Sequence, residues 1–499
     1  MFNKKKKLYI TTTLPYVNAD PHLGFALEII QADVLARYYR NLGYDVFFNT
    51  GVDEHGLKIF RKAQESNLDT QKYCDIYAKK FDDLKQALNL SYNNFIRTTD
   101  PHHIKAAQEF WKICDKNEDI YKKNYKIKYC VGCELEKTES ELENGRCPIH
   151  PNLELEAIEE ENYFFRYSKY QKKLLDFYKK NPEFVIPETR YNEIKEFTKR
   201  GLEDFSISRL KEKMPWGIEV PNDDKHVMYV WFEAFVNYIS ALGWPEDQKK
   251  FNSFWPGLQL AGKDNLRQQS SMWQAMLMSA GLKNSKQIFI HGFITADGQK
   301  MSKSLGNVIN PFELVKKYGV DAVRYYLLRE ILPTEDGDFT YEKFEKRYNS
   351  DLAGGVGNLV ARVLGIASKI SNFNLTPAGG FPVGFFQISN KISNAKLRKK
   401  IKETQKKYKL FLENFKFNEA LVSIWEIISF CDKYINEEKL WEIPSTPLRA
   451  GKKAEVINDL FFAIKEIGIL LEPFLPETAG NILQQLKTKK SQPLFPRLK

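Results

Sequence analysis

The sequence predicts an α/β protein, a doubly wound parallel sheet broken by a cysteine–histidine insertion and followed by an α-helical bundle. Three observations carry that expectation. Strand-like and helix-like runs alternate near the start of the chain and again over 226–296. The stretch "CVGCELEKTESELENGRCPIH" interrupts that alternation at 130–150, and lysine-rich helical periodicity takes over beyond 310. At 499 residues the chain is too long for one core. The expected division is 1–115 for the first half of the sheet domain and 116–225 for a connective insertion. Residues 226–296 form the second half, 297–345 a lysine-bearing loop with the segment after it, and 346–499 the helical domain.

The formal net charge is +11. That suits a basic surface for a polyanion, and a merely lysine-rich composition would give the same figure. "MFNKKKKLYITTTLPY" has lysines but no apolar segment behind them, so it does not read as a signal peptide. No stretch approaches the ~18 apolar residues of a membrane span. Three of the six cysteines cluster and three are scattered, unlike a secreted disulfide framework, so a reduced, cytoplasmic protein is expected.

"KLYITTT" reads as the first strand and "PHLGFALEIIQADVLARYYRNLG" as the helix after it, with Asp20 as N-cap, Pro21 at N1 and Gly43 beyond the last turn. His22 and Gly24 then lie in the first turn, where free backbone N–H groups and the helix dipole favour a phosphate. Taken alone, "HLG" is a weak signal that fits an incidental histidine on a capped helix better. "YDVFFNTG" is a second strand, which places Asp53, Glu54 and His55 just past its carboxyl end, where open parallel sheets bind ligands.

The cysteine–histidine stretch has the spacing C-x2-C-x13-C-x2-H. Cys130, Cys133, Cys147 and His150 form a closed four-ligand set for one structural Zn2+. A disulfide would leave one thiol over and would not involve the histidine. Farther on, "VMYVWFEAFVNYISALGW" gathers Trp231, Ala234 and Tyr238, an aromatic cluster that core packing would also produce. "QLAGKD" is a strand ending in a polar loop, and "KQIFIHGF" is a strand that empties into "DGQKMSKSLGN". The loop holds Lys300 and Lys303 but fails the GxxxxGK[ST] pattern counted from Gly298, so a P-loop ATPase is excluded. Asn310 and Pro311 start a helix. Ala420, Ile424, Ile427, Ile428, Cys431, Tyr434 and Ile435 form one apolar stripe, and "NLTPAGGFPVGFF" reads as a loop.

"PHLG" opening a helix and "KMSKS" after the last strand resemble the paired signatures of class I aminoacyl-tRNA synthetases. The segments "TLPYVNADPHLG", "TGVDEHG", the knuckle, "ENYFFRYSKY", "FSISR", "WGIEVP", "YVWFEAFVNY", "AGKD" and "HGFITADGQKMSKSLGN" resemble the methionyl-tRNA synthetase family, over nearly the whole chain. The resemblance implies a Rossmann-type catalytic sheet. It also implies a two-step reaction in which methionine and ATP give methionyl-adenylate, and the methionyl group then passes to the terminal ribose of tRNA(Met), read by its CAU anticodon. His22, Lys300 and Lys303 would be catalytic. Gly24, Glu28, Gly262 and Asp264 would join them around ATP and its Mg2+. Thr13, Leu14, Tyr16, Trp231, Ala234, Tyr238 and Gln269 would line the methionine pocket, with Asp53 at the amino group. Asn358, Arg362 and Trp441 would read the anticodon.

The chain departs from the family at Phe25 for a histidine, Glu233 for an aspartate, Asn265 for an apolar residue and Gln268-Gln269 for Phe-His. Leucyl, isoleucyl and valyl enzymes share both signatures but carry a large editing insertion. A cysteinyl enzyme would need its metal in the amino-acid pocket, and a non-catalytic tRNA-binding paralogue is the remaining alternative. "LFPRLK" closes the chain without the module that dimerises some members, so a monomer is the expectation.

Overall fold

The computed structural model describes residues 5–133, 135–137, 141–301, 306–371, 392–442 and 447–498. It divides into two compact units, Met1–Gln86 with Leu90–His291, and Ala87–Asn89 with Gly292–Lys499. Among the described residues no helix is long and apolar enough to cross a membrane.

The first unit is built on a six-stranded parallel sheet in the order Asn94–Arg97, Asp45–Val52, Lys7–Thr11, Leu258–Gly262, Gln287–His291, Val185–Ile186. Its strands are rich in β-branched and aromatic residues and lie mostly buried, as strands covered on both faces must. The chain builds outward from Lys7–Thr11 through Asp45–Val52 to Asn94–Arg97 and only later returns to pair Ile10 with Leu258. That change of direction opens a crevice at the carboxyl ends of Lys7–Thr11 and Leu258–Gly262. The insertion adds a four-stranded antiparallel sheet whose long hairpin runs from the Ile120–Phe165 pair to the Tyr129–Glu156 pair. Phe110, Trp111, Phe232, Trp244 and Trp273 sit at the centre of the unit's aromatic core.

The first helix corrects an expectation. It spans Leu23–Asn41, and its N-cap is His22, not Asp20. The imidazole Nδ1 accepts from Gly24 N at 3.1 Å, the role a short polar side chain ordinarily fills. Asp20 instead pairs with Lys80 at 2.6 Å, both half in solvent.

In the second unit, Ile294–Ala296 and Gln299–Lys300 form a hairpin turned by Asp297 (φ 52°) and Gly298 (φ 73°), and Gly337–Phe339 joins it in parallel. Asn310 caps the Pro311–Tyr318 helix through Phe312 N, as expected. The helical run expected beyond 310 is wide-turned over Tyr348–Gly357 and returns to α-helix at Asn358. Gly354 and Gly357 permit this, because a Cβ there would lie 2.9 Å from the carbonyl oxygens of Asn349 and Leu352, each five residues back. The apolar stripe Ala420–Ile435 is buried on the Phe417–Glu437 helix as its periodicity predicts. "NLTPAGGFPVGFF" lies outside the described residues.

One helix, Val320–Arg329, joins the ends of two others. Asp321 Oδ2 accepts from Thr478 N (2.6 Å) in the first turn of Pro476–Thr488. Fully buried Arg324 donates to the carbonyls of Phe474, Pro473 and Leu88 at 2.7, 2.9 and 3.0 Å.

Candidate active site

The crevice at the strand ends gathers most of the residues expected there. The loop after Lys7–Thr11 runs beside the one after Asp45–Val52. Asp53 N donates to Pro15 O at 2.9 Å and Val17 N to Asp53 O at 3.2 Å, which fixes Leu14 and Tyr16 next to Asp53. Asp53 is buried, and its Oδ1 lies 3.4 Å from Thr98 Oγ1. Tyr16, Trp231 and Ala234 pack with Tyr129, Val131, Tyr229 and Val230 in a small apolar cluster, which Trp231 links to the main core through Phe235. The Arg209 guanidinium covers the Tyr229 ring at 4.2 Å. Tyr238 belongs to the main core instead, where burial raises its phenol well above the ordinary value and Gln269 Nε2 donates to its oxygen. Gln269 Oε1 is buried without a hydrogen-bond partner.

Thr13 is held by the first helix. Glu28 Oε1 accepts from both its backbone N and its hydroxyl, each at 2.7 Å. The side chain of His22 is exposed and accepts through Nδ1, so the proton of the neutral ring sits on Nε2, facing away from the backbone it caps. His22 and Gly24 therefore stand where first-turn N–H groups can meet an anion. Phe25, in place of a second histidine, turns onto Phe81, with ring centroids 5.4 Å apart. Opposite, a Cβ at Gly262 would come within 2.8 Å of Asp264 Oδ1, so glycine leaves that strand end open. Of the three polar residues beyond the second strand, Glu54 and His55 turn inward, to Arg97 at 2.7 Å and to Glu233 at 3.0 Å.

Cys130, Cys133, Cys147 and His150 bring their ligand atoms within 4.8 Å of one another. Cys133 Sγ is 3.4 Å from Cys147 Sγ and 3.1 Å from His150 Nδ1, and Cys130 Sγ is 3.8 Å from that nitrogen. Donors held tetrahedrally about one zinc stand roughly 3.3–3.8 Å apart, so the set fits it. Burial pushes the Cys133 thiol up, while at Cys147 hydrogen bonds from the backbone of His150 and Ile149 and from Cys133 outweigh burial and hold the thiol below its ordinary value. Gly132 is required here, because a Cβ would meet His150 Cγ at 2.6 Å.

In the second unit Lys300 is exposed on its hairpin. Asp338 Oδ1 secures the turn through Gly298 N and Thr295 Oγ1, each at 2.7 Å. Lys303 lies outside the described residues. Asn358 is exposed at the start of its helix, and Arg362 follows one turn later. The Arg362 guanidinium is 5.8 Å from the ring centre of Trp441, which is 55% exposed.

Sequence reasoning missed His103 and His291. His291 ends a central strand, so the strand-end rule that selected Asp53 could have selected it. His103 sits inside a helix, and nothing in its spacing marks it.

The family model described as tRNA synthetases class I (M) matches residues 8–154 and 136–364, and one described as the anticodon-binding domain of tRNA ligase matches 394–497. The chain is 42% identical to the methionine–tRNA ligase of Thermotoga maritima, over 96% of this chain and 75% of that one. It is 39% identical to that of Rickettsia felis, over 99% and 94%. The solved Mycobacterium tuberculosis methionyl-tRNA synthetase in complex with methionyl-adenylate matches with a TM-score of 0.89 at 35% identity, covering 99% of this chain and all of that one. The chain belongs to the methionyl-tRNA synthetase family of class I tRNA synthetases.

Proposed function

We infer that the chain is a methionine–tRNA ligase, activating methionine with ATP and transferring the methionyl group to tRNA(Met) for translation. The observation that carries this reading is kinship over nearly the full length with methionine–tRNA ligases, joined to likeness with a synthetase solved holding methionyl-adenylate.

In the first step a methionine carboxylate oxygen forms a bond to the α-phosphorus of ATP. The bond from that phosphorus to the bridging oxygen breaks, and pyrophosphate leaves with the electron pair. The nucleophile and the leaving group are both anions, so no general base is needed, and the protein's part is positioning and charge stabilisation. In the second step a ribose hydroxyl of the tRNA end attacks the methionyl carbonyl and AMP leaves.

The ammonium of methionine goes to Asp53, and its thioether to the apolar surface of Leu14, Tyr16, Trp231 and Ala234, with the Tyr238–Gln269 pair behind. A thioether offers little to hydrogen-bond, which suits such walls. The phosphates go to His22, Gly24 and the first-turn N–H groups. Gly262 and Asp264 receive the nucleoside side, and Mg2+ arrives with ATP as part of the substrate. Glu28 serves ATP indirectly, by holding Thr13. Lys300 and Lys303 supply positive charge to the departing pyrophosphate. One zinc braces the insertion. Asn358, Arg362 and Trp441 meet the CAU anticodon, and the protein works in the cytoplasm.

ATP–pyrophosphate exchange measured with each amino acid in turn tests the reading. Methionine should be the amino acid that supports exchange. Exchange with cysteine instead, or with none, would overturn it.

A further inference from the structure

Glu233 is fully buried and places one carboxylate oxygen on each of two imidazoles. Oε1 is 3.0 Å from His55 Nδ1 and Oε2 is 3.0 Å from His103 Nε2. Both rings are themselves buried, and His103 Nδ1 continues the chain to Ser240 Oγ at 3.0 Å. The ring of His55 packs on Trp216, with centroids 5.7 Å apart. A carboxylate only accepts, so each imidazole must turn an N–H towards it, and the Ser240 hydroxyl can then donate to a neutral His103. Burial raises the Glu233 carboxyl, but the two histidines outweigh it and hold it below the ordinary value. An ionised carboxylate without such partners would not be tolerated at this depth.

The three members come from separate parts of the chain. His55 is two residues beyond Asp53, in the loop that carries it. His103 is on the Pro101–Lys116 helix. Glu233 lies between Trp231 and Ala234 on the short Val230–Ala234 helix, whose other face meets Tyr16. The carboxylate therefore joins the loop proposed to hold the methionine ammonium to the helix proposed to hold its side chain. Hydrogen bonds at both oxygens leave it one position only, and the helix cannot shift without breaking one of them.

We propose that Glu233 is a positioning residue for the amino-acid site, its reach between His55 and His103 setting the distance between the Asp53 loop and the Trp231–Ala234 wall. The inference rests on the methionine pocket assigned above. Glu233 touches neither substrate. It acts through the two elements it joins, so its effect belongs to methionine and not to ATP.

The test is ATP–pyrophosphate exchange on the full chain, with KM measured for each substrate. Glu233→Asp keeps the charge but is shorter by one methylene, about 1.5 Å, and can satisfy one histidine at most. It should raise KM for methionine about tenfold or more, the scale of one lost buried hydrogen bond, with KM for ATP within about twofold. Glu233→Gln keeps the reach, accepting from His55 through oxygen and donating to His103 through nitrogen. It should raise methionine KM several-fold less than Glu233→Asp. His103→Ala removes the second anchor from a different element and should act on methionine alone, which keeps the inference testable if Glu233→Asp fails to fold. Equal rises in both KM values, a Gln variant as impaired as the Asp variant, or an unchanged methionine KM in folded His103→Ala would each overturn it. Methionine-dependent exchange by the unaltered chain is the control. Its absence refutes the pocket assignment and the inference with it, whereas normal exchange with unmoved variants refutes the inference alone.

Discussion

Glu28 Oε2 lies 2.8 Å from His291 Nε2, while the other oxygen of the same carboxylate holds Thr13. Thr13 follows the first strand and His291 ends the Gln287–His291 strand, so one side chain on the first helix links both halves of the sheet at the crevice. Glu28→Ala would leave the Thr13 N–H and the histidine without their partner, at a cost of roughly 1–3 kcal/mol. Glu28→Gln can accept from Thr13 and donate to His291, and should cost less than about 1 kcal/mol. Chemical denaturation of both variants measures the difference, and equal losses would count against the link.

Lys303→Ala should slow adenylate formation by about 10²–10³ in single-turnover rate while leaving methionine affinity near normal, since its charge matters most as pyrophosphate forms. Lys300→Ala should act in the same direction with a smaller effect. An unchanged single-turnover rate would remove both lysines from the chemistry.

The purified protein should contain about one zinc per chain, and Cys147→Ser should lose it. Because structural zinc contributes folding energy directly, the variant should also melt lower. Metal analysis that finds no zinc in the unaltered protein would refute the site.

Exposed Trp441 lies beside half-buried Arg362, whose guanidinium donates to Asn436 at 2.6 Å, with Asn358 a helical turn away. Stacking on an indole is worth about 1–3 kcal/mol per base, so Trp441→Ala should reduce tRNA aminoacylation roughly tenfold to a hundredfold. ATP–pyrophosphate exchange, which needs no tRNA, should stay normal. Loss of both activities would assign Trp441 to folding instead.

Much of the crevice could be read from the sequence because parallel strands deliver their ligands to one edge. The alternation of "KLYITTT" with "PHLGFALEII" and of "YDVFFNTG" with "LKIFRKAQES" places His22 and Asp53 at that edge, Thr13 is named only by the family resemblance, and the knuckle follows from spacing alone. The His55–Glu233–His103 cluster could not be read, because its members are 178 and 130 positions apart and meet only through packing. The Asp20 cap failed because propensity favours aspartate, while the bond depends on which side chain reaches Gly24 N. The wide turns at Tyr348–Gly357 could not be read because apolar periodicity does not separate them from α-helical turns, and the close approach of Gly354 and Gly357 to carbonyls five residues back exists only in the folded backbone.

Asp321 and Arg324, three positions apart on one helix, bear on how short the polypeptide can be made. The carbonyls of Pro473 and Phe474 exist only if the chain continues past Leu471, and the N–H of Thr478 only if the last helix begins. A polypeptide cut at Leu471 would bury a guanidinium without its Pro473 and Phe474 acceptors, a defect of several kcal/mol. The stretch from Pro473 into the first turn of the final helix is thus a condition for the second unit to fold, and removing it should yield aggregated protein where a surface appendage would have come off without harm.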